Sequence, residues 1–285
     1  MSFRRYTGAP PRFKLPEGAI DSQIHLYLPN YPAAIGGTPV PDGCPGPEDY
    51  RQVMAWLGIS RCVVTQGNAH QFDNENLIAA LKAMGPCARG VAVICEDTTE
   101  RELERLHQAG IRGARIMDLP GGATGLTHLE RVDEKAHALG WTVAVQFDGS
   151  QICALEKRLA ALKSNWILDH HGKIFQGARP DGPEVATILR LMDKGRCHFK
   201  LAGIYESSKR GAPAYEDVAD YTRVVTAHAP ERIIWGTNFP HNQATSAASY
   251  PCDAELLDLA ASWLTGARAQ ELAFVETPER LFFMD

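Results

Sequence analysis

Short apolar runs recur along the chain, rich in β-branched residues. Each is followed by a polar exit and then by a stretch with apolar positions at helical spacing. The pattern predicts strands at residues 19–26, 62–65, 90–94, 113–117, 142–147, 166–169, 197–201 and 232–235. It predicts helices at residues 47–57, 77–84, 100–109, 129–139, 150–162, 184–192, 215–227 and 253–264. Alternation of this kind packs either as a closed (β/α)8 barrel or as an open doubly wound sheet. Two features favour the α/β barrel. No glycine-rich dinucleotide turn follows an early strand, and unusual polar side chains end many different strands. A barrel gathers such ends at one mouth, whereas an open sheet spreads them along a crevice. Residues 1–17, interrupted by Pro and Gly, read as an arm over one end of the fold. Residues 18–285 read as a single barrel domain with a long Pro/Gly-rich loop at 29–47.

With 285 residues the chain can bury a barrel core without staples, and 45% hydrophobic with 22% charged residues is a soluble globular composition. The net charge of −5, with no Lys/Arg block, argues against nucleic acid and anionic membranes as partners. Seven scattered cysteines lack structural-zinc spacing. They read as free thiols of a reducing compartment, with Cys62, Cys95 and Cys197 buried. No secretory apolar run follows the N-terminal arginines and no segment reaches transmembrane length, so the cytoplasm is expected. Oligomeric state stays open.

Three strand ends carry chemistry. In Asp21-Ser22-Gln23-Ile24-His25, residues 21, 23 and 25 share one face by period-two alternation. Inside a barrel that face is costly unless paired or used; a polar face meeting solvent or loop backbone is the other reading. The strand at 166–169 runs into Asp169-His170-His171-Gly172. There His170 can serve as a general base or donor near pH 7 and Asp169 can fix a neighbouring tautomer, against the alternative of a satisfied polar cap. The last strand exits through Gly236-Thr237-Asn238-Phe239-Pro240-His241. Here Gly236 permits close backbone approach, and Asn238 and His241 can both reach the mouth; a purely structural loop is the alternative.

Further exits supply Gln66, Asn68 and His70; Asp118; Gln146 and Asp148; and Lys200 and Tyr205. Arg115, set in an apolar strand, needs an anionic partner, either an acidic residue or a substrate carboxylate. Lys200 carries the same ambiguity. The glycines at 121–125 lack the Lys-Ser/Thr of a phosphate loop, and no nucleophile elbow or Cys/His pair announces covalent catalysis.

These strings resemble the amidohydrolase superfamily, in the amidohydrolase-2 branch that includes 2-pyrone-4,6-dicarboxylate lactonase. The resemblance runs from about Gly18 to the C-terminus. It rests on Asp21 and His25 as an Asp-x-x-x-His opening, on Asp169-His170, on the specific string from Pro230 to His241, and on Thr277-Pro278-Glu279-Arg280-Leu281-Phe282. Within that branch the opening and the Thr-Asn-Phe-Pro-His ending are similar to the galactarolactone isomerase group. The resemblance implies an enzyme interconverting the 1,5- and 1,4-lactones of D-galactarate, with a small anionic sugar lactone as partner. A lactonase acting on a sugar-acid or dicarboxylate lactone is the runner-up. A metal-dependent hydrolase or decarboxylase and a non-catalytic sugar-acid binder are further alternatives.

Two departures sharpen this expectation. Metal-dependent members of the superfamily have an aspartate where Asn238 stands and commonly His-x-His where this chain has Gln23-x-His25. A neutral amide ligates a divalent ion poorly and cannot take a proton from metal-bound water. No tightly bound catalytic metal and no cofactor are therefore expected. Isomerisation needs neither, because a hydroxyl of the same molecule attacks the acyl carbon. The expected roles are proton transfer by His170 or His25 with help from His241, and a hydrogen bond to the carbonyl or a hydroxyl from Asn238. Arg115 is expected to grip the carboxylate, with Lys200 second. Gln146, Gln66 and Asn68 would read hydroxyls, with Gln23 and Tyr205 also at the binding site, under a lid formed by the 29–47 loop.

Overall fold

The computed structural model describes residues 3–284. Eight parallel strands follow chain order around one sheet: β1 (Ile20–Ile24), β2 (Arg61–Thr65), β3 (Ala88–Ala92), β4 (Ile111–Met117), β5 (Thr142–Gln146), β6 (Trp166–Leu168), β7 (Cys197–Leu201) and β8 (Ile233–Trp235). The main helices outside them are α1 (Pro47–Leu57), α2 (Glu75–Met84), α3 (Glu100–Gln108), α4 (Leu129–Ala138), α5 (Ile152–Ala160), α6 (Pro183–Asp193), α7 (Glu216–His228) and α8 (Asp253–Ser262). α3 shows why such segments are helical. Thr99 caps it by accepting from the Glu102 N–H, Glu100 and Glu102 sit at the positive end of the helix dipole, and Leu103 and Leu106 form its buried face.

The sheet closes, which excludes the open alternative. Beyond β8 the Asn238 N–H donates to the Gln23 carbonyl at 2.8 Å, and the His25 N–H donates to the Phe239 carbonyl at 2.7 Å. Gly236 permits this seam, because a Cβ there would lie 2.5 Å from Gln23 Cβ. The expected (β/α)8 barrel is the observed fold.

One expectation fails at β1. Its pairing with β2 slips between Asp21 and Ile24, so three residues of β1 span two of β2. Asp21 consequently leaves the face of Gln23 and His25. Its carboxylate accepts from the Tyr50 hydroxyl of α1 at 2.9 Å, the Thr237 hydroxyl at 2.6 Å and the Thr237 N–H at 3.0 Å. It ties the first strand to the exit of the last rather than facing the mouth.

The chain ends in two short helices beyond the predicted set, α9 (Ala267–Glu271) and α10 (Thr277–Phe282). α10 places Leu281 and Phe282 against Ile20, Val63, Val91, Ala144, Ile167 and Ile234, the inward side chains at the bottom of the barrel. A larger apolar layer lies between strands and helices. The seven cysteines are free; Cys62 and Cys197 are buried, but Cys95 is only partly so and Cys153 is exposed. Among the described residues no helix is long and apolar enough to cross a membrane.

Candidate active site

The site is built by unusual backbone at the C-terminal ends of β6, β7 and β8. After β6 the chain passes through His170, His171, Gly172 and Lys173, all at positive φ. Each non-glycine residue held there costs roughly 1–2 kcal/mol. The turn sends His170 and Lys173 to the mouth, while His171 packs on Phe199 and Trp263 and bonds Thr222 Oγ1 at 3.0 Å. Asn238, with φ 66°, is turned inward at the exit of β8. Gly203, with φ 58°, lies under both, and a Cβ there would be 2.6 Å from His170 Cδ2 and 3.0 Å from Asn238 Nδ2.

At the floor, Lys200 Nζ donates to Gln23 Oε1 at 2.7 Å and lies 2.8 Å from Asp169 Oδ1. Burial alone would raise the Asp169 carboxyl, but Lys200 and His170 outweigh it and hold it well below its usual range. Gln23 also accepts from Thr65 Oγ1 at 3.3 Å, so its amide nitrogen faces His25 Nε2 at 3.3 Å. His25 Nδ1–H donates to the Thr65 carbonyl at 2.8 Å, leaving Nε2 as the acceptor. Burial, then the charge of Arg115, pushes His25 down to about 3, so it is a neutral ring with both nitrogens engaged.

On the β7–β8 side, Asn238 is saturated. Its Nδ2 donates to Glu206 Oε1 at 2.8 Å and Tyr205 Oη at 2.9 Å, and its Oδ1 faces His170 Nε2 at 3.1 Å. Because a carboxylate only accepts, Glu206 fixes the orientation of this amide. His170 Nδ1 lies 3.1 Å from Asp169 Oδ1, off the hydrogen-bond line, so the ring has an acceptor on each flank. Lys173 and Glu206 form a buried ion pair. Burial raises the Glu206 carboxyl, yet Lys173 and His170 bring it below its ordinary value. Behind them Tyr205 donates to His241 Nδ1 at 2.7 Å and His241 Nε2–H donates to Asp253 at 3.0 Å. The His241 ring is fully buried and does not line the mouth, contrary to expectation; it reaches the Asn238 amide through Tyr205, while the His241 N–H donates to the Asn238 carbonyl at 2.9 Å.

Across the cleft stands Arg115. It donates to Asn68 Oδ1 at 2.8 Å, Gln146 Oε1 at 3.0 Å, the Gln66 carbonyl at 2.9 Å and Met117 Sδ at 3.1 Å. All are neutral, so the protein gives this cation no direct acidic partner among the described residues. The guanidinium and amide side chains border a cleft of about 440 Å³ that also meets His25, His170, Lys173, Glu206, Asn238, Asn242 and Gln243. Above it opens a basin of about 1180 Å³ walled by Thr38, Pro39, Val40, Pro41 and Asp42 of the long loop. Arg4 ties that loop to the β8 exit, donating to the Asp42 carbonyl at 2.8 Å and the Pro240 carbonyl at 3.3 Å.

Of the residues singled out in sequence, His25, His170, Asn238, Arg115, Gln146 and Asn68 converge on the cleft. Gln23, Lys200 and Tyr205 lie directly beneath or behind it. The Gln66 side chain instead turns to the carbonyls of Gln71 and Asp73, so only its backbone reaches Arg115. His70, Asp118 and Asp148 hold loop backbone. Lys173, Glu206, Met117, Asn242 and Gln243 were missed. Proximity to the His-His-Gly run and to Tyr205 was the only signal for the first two.

The donor set does not fit the divalent ion of metal-dependent relatives. The Lys200 ammonium already occupies the space between Gln23 and Asp169, and a second cation beside it would be repelled. The remaining candidates are the amides of Gln23 and Asn238, His25 already taken by Gln23, His170 already facing Asn238, and Glu206 already paired with Lys173. Among the described residues no group of three or more His, Cys, Asp or Glu could hold a metal ion.

A parallel barrel with its polar strand ends gathered at one mouth defines the class, and the amidohydrolase family profile matches residues 20–284, so the chain belongs to the amidohydrolase family. It is 53% identical to D-galactarolactone isomerase of Agrobacterium fabrum (strain C58 / ATCC 33970), over 98% of this chain and 96% of that protein. A crystal structure of an Agrobacterium tumefaciens protein without ligand superposes with a TM-score of 0.96 at 52% identity, covering 99% of each chain. The 2-pyrone-4,6-dicarboxylate hydrolase of Comamonas testosteroni is 30% identical over 96% of this chain and 92% of its own length.

Proposed function

We propose that this chain is a lactone isomerase that interconverts D-galactaro-1,5-lactone and D-galactaro-1,4-lactone by metal-independent, intramolecular acyl transfer. The observation that carries this reading is Arg115, a buried guanidinium held only by neutral acceptors and facing a cleft rather than an acidic residue. A free substrate carboxylate supplies the missing charge, and the amide nitrogens of Asn68 and Gln146 stand beside it as further donors. The identity with the Agrobacterium isomerase supports the choice of lactone.

In the reaction a ring-external hydroxyl forms a bond to the acyl carbon and the old ring C–O bond breaks. The proton lost by the attacking oxygen ends on the expelled one, so no water is consumed. Holding both oxygens on one molecule replaces much of the advantage of an activated water. Asn238 lacks a carboxylate's basicity, and its hydrogen bonds are spent on His170, Glu206 and Tyr205. His170, flanked by Asp169 and Asn238, carries the proton. His25 is the poorer choice, since burial and the charge of Arg115 push it down to about 3 and leave its ring too weak a base to take the proton.

Time-resolved NMR of D-galactaro-1,5-lactone in ¹⁸O water tests this. The expected product is the 1,4-lactone without solvent oxygen, and His170→Asn is expected to lower kcat at least about hundredfold. Acid release with ¹⁸O incorporation would make the chain a lactonase, and an undiminished His170→Asn would remove that residue from proton transfer.

A further inference from the structure

Acyl transfer passes through a tetrahedral intermediate whose oxyanion needs a donor. Asn238 cannot provide one, because both hydrogens of its amide go to Tyr205 and Glu206. Gln23 turns its amide nitrogen to His25, and Arg115 lies on the opposite wall. Lys173 is different. Its ammonium lines the cleft with a side chain only 3% exposed. Among the described residues its single hydrogen-bond partner is Glu206, which leaves two of three N–H donors unused.

We propose that Lys173 is a catalytic residue that donates to the lactone carbonyl and carries the charge of the tetrahedral oxyanion, with Glu206 holding its ammonium in place. This rests on the lactone reading above. As the substrate hydroxyl bonds to the acyl carbon, the carbonyl π pair moves onto the oxygen facing Lys173 Nζ. On collapse that pair re-forms the carbonyl, the ring C–O bond breaks, and the expelled oxygen takes the proton held by His170. A fixed cation in a mouth shielded from water stabilises that charge far more than the same cation in solvent. The left-handed backbone at Lys173 is the local cost of aiming it there.

The test compares wild type, Lys173→Met, Lys173→Arg, Glu206→Gln and the double variant Lys173→Met/Glu206→Gln with D-galactaro-1,5-lactone followed by NMR. The double variant avoids leaving a buried, unpaired Glu206 carboxylate, and its thermal unfolding is expected to match wild type. Lys173→Met and the double variant are expected to lose about a hundredfold or more in kcat with KM within about threefold. Lys173→Arg recovers part of the loss, and Glu206→Gln loses about tenfold in kcat at unchanged KM. A folded double variant within about fivefold of wild-type kcat overturns the proposal. So does a loss confined to KM, which would make Lys173 a substrate anchor. If wild type hydrolyses the lactone with ¹⁸O uptake, the isomerase reading falls while the same kcat loss still supports Lys173. A wild type that turns over no lactone overturns both.

Discussion

Gly203 contributes no side chain, yet His170 and Asn238 depend on what it leaves out. An alanine there meets His170 Cδ2 and Asn238 Nδ2 and is also held at φ 58°. Gly203→Ala is expected to cost about 1–2 kcal/mol in stability and to lower kcat at least about tenfold. Urea unfolding and NMR kinetics on the folded protein measure the two effects separately. The roles of single residues were only partly legible in the sequence. Polar groups at strand ends announced His170, Asn238 and Arg115, because a barrel brings such ends together. Lys173 and Glu206 follow backbone turns that leave no hydrophobic period, so nothing in the pattern aimed them. Gln66 and His241 sit at the right chain positions, but their side chains are claimed by the 71–73 loop and by Asp253.

Whole elements were easier to read than single roles. The strand β7 and the helix α1 occupy the residues their patterns predict, since a continuous apolar run and an amphipathic stripe are each dictated by what they bury. β3 begins two residues before its apolar run, because its ladder with β2 starts at Cys62 and Ala88. α10 escaped, being six residues long with consecutive apolar positions rather than a helical stripe. Its buried side is nonetheless part of the barrel interior. Phe282→Ala is expected to cost about 3–5 kcal/mol by opening a cavity beneath the strands. The kcat of the remaining folded protein should stay close to wild type, because the plug lies at the end opposite the cleft. Chemical denaturation with parallel assays at low denaturant checks both parts.

For the molecule as a whole, buried titratable groups set the response to acid. Burial pushes His25, His171 and His198 each down to about 3, aided by Arg115 at His25 and by Arg232 at His198, well under the ordinary histidine value near 6.5. Their contribution to stability is therefore complete above about pH 6.5 and is lost as pH falls, since the unfolded chain binds those protons first. Asp21 acts in the opposite sense. Burial raises it to about 6, so its contribution is present below the unfolded value of 3.8 and lost as pH rises through about 6. Three histidines outweigh one carboxyl, so stability is expected to fall between pH 6 and 4.5. Replacing His198 by Leu should flatten that slope by up to about 1.4 kcal/mol per pH unit, as read by urea unfolding across the range. Asp21 also has a meaning in time. It joins β1 to a residue 216 positions away, and closing so large a loop consumes chain entropy before any contact repays it. The seam between first and last strands is thus expected to be a late join of the barrel, and the cleft, whose Gln23 and Asn238 flank that seam, to acquire its shape only when that join is made.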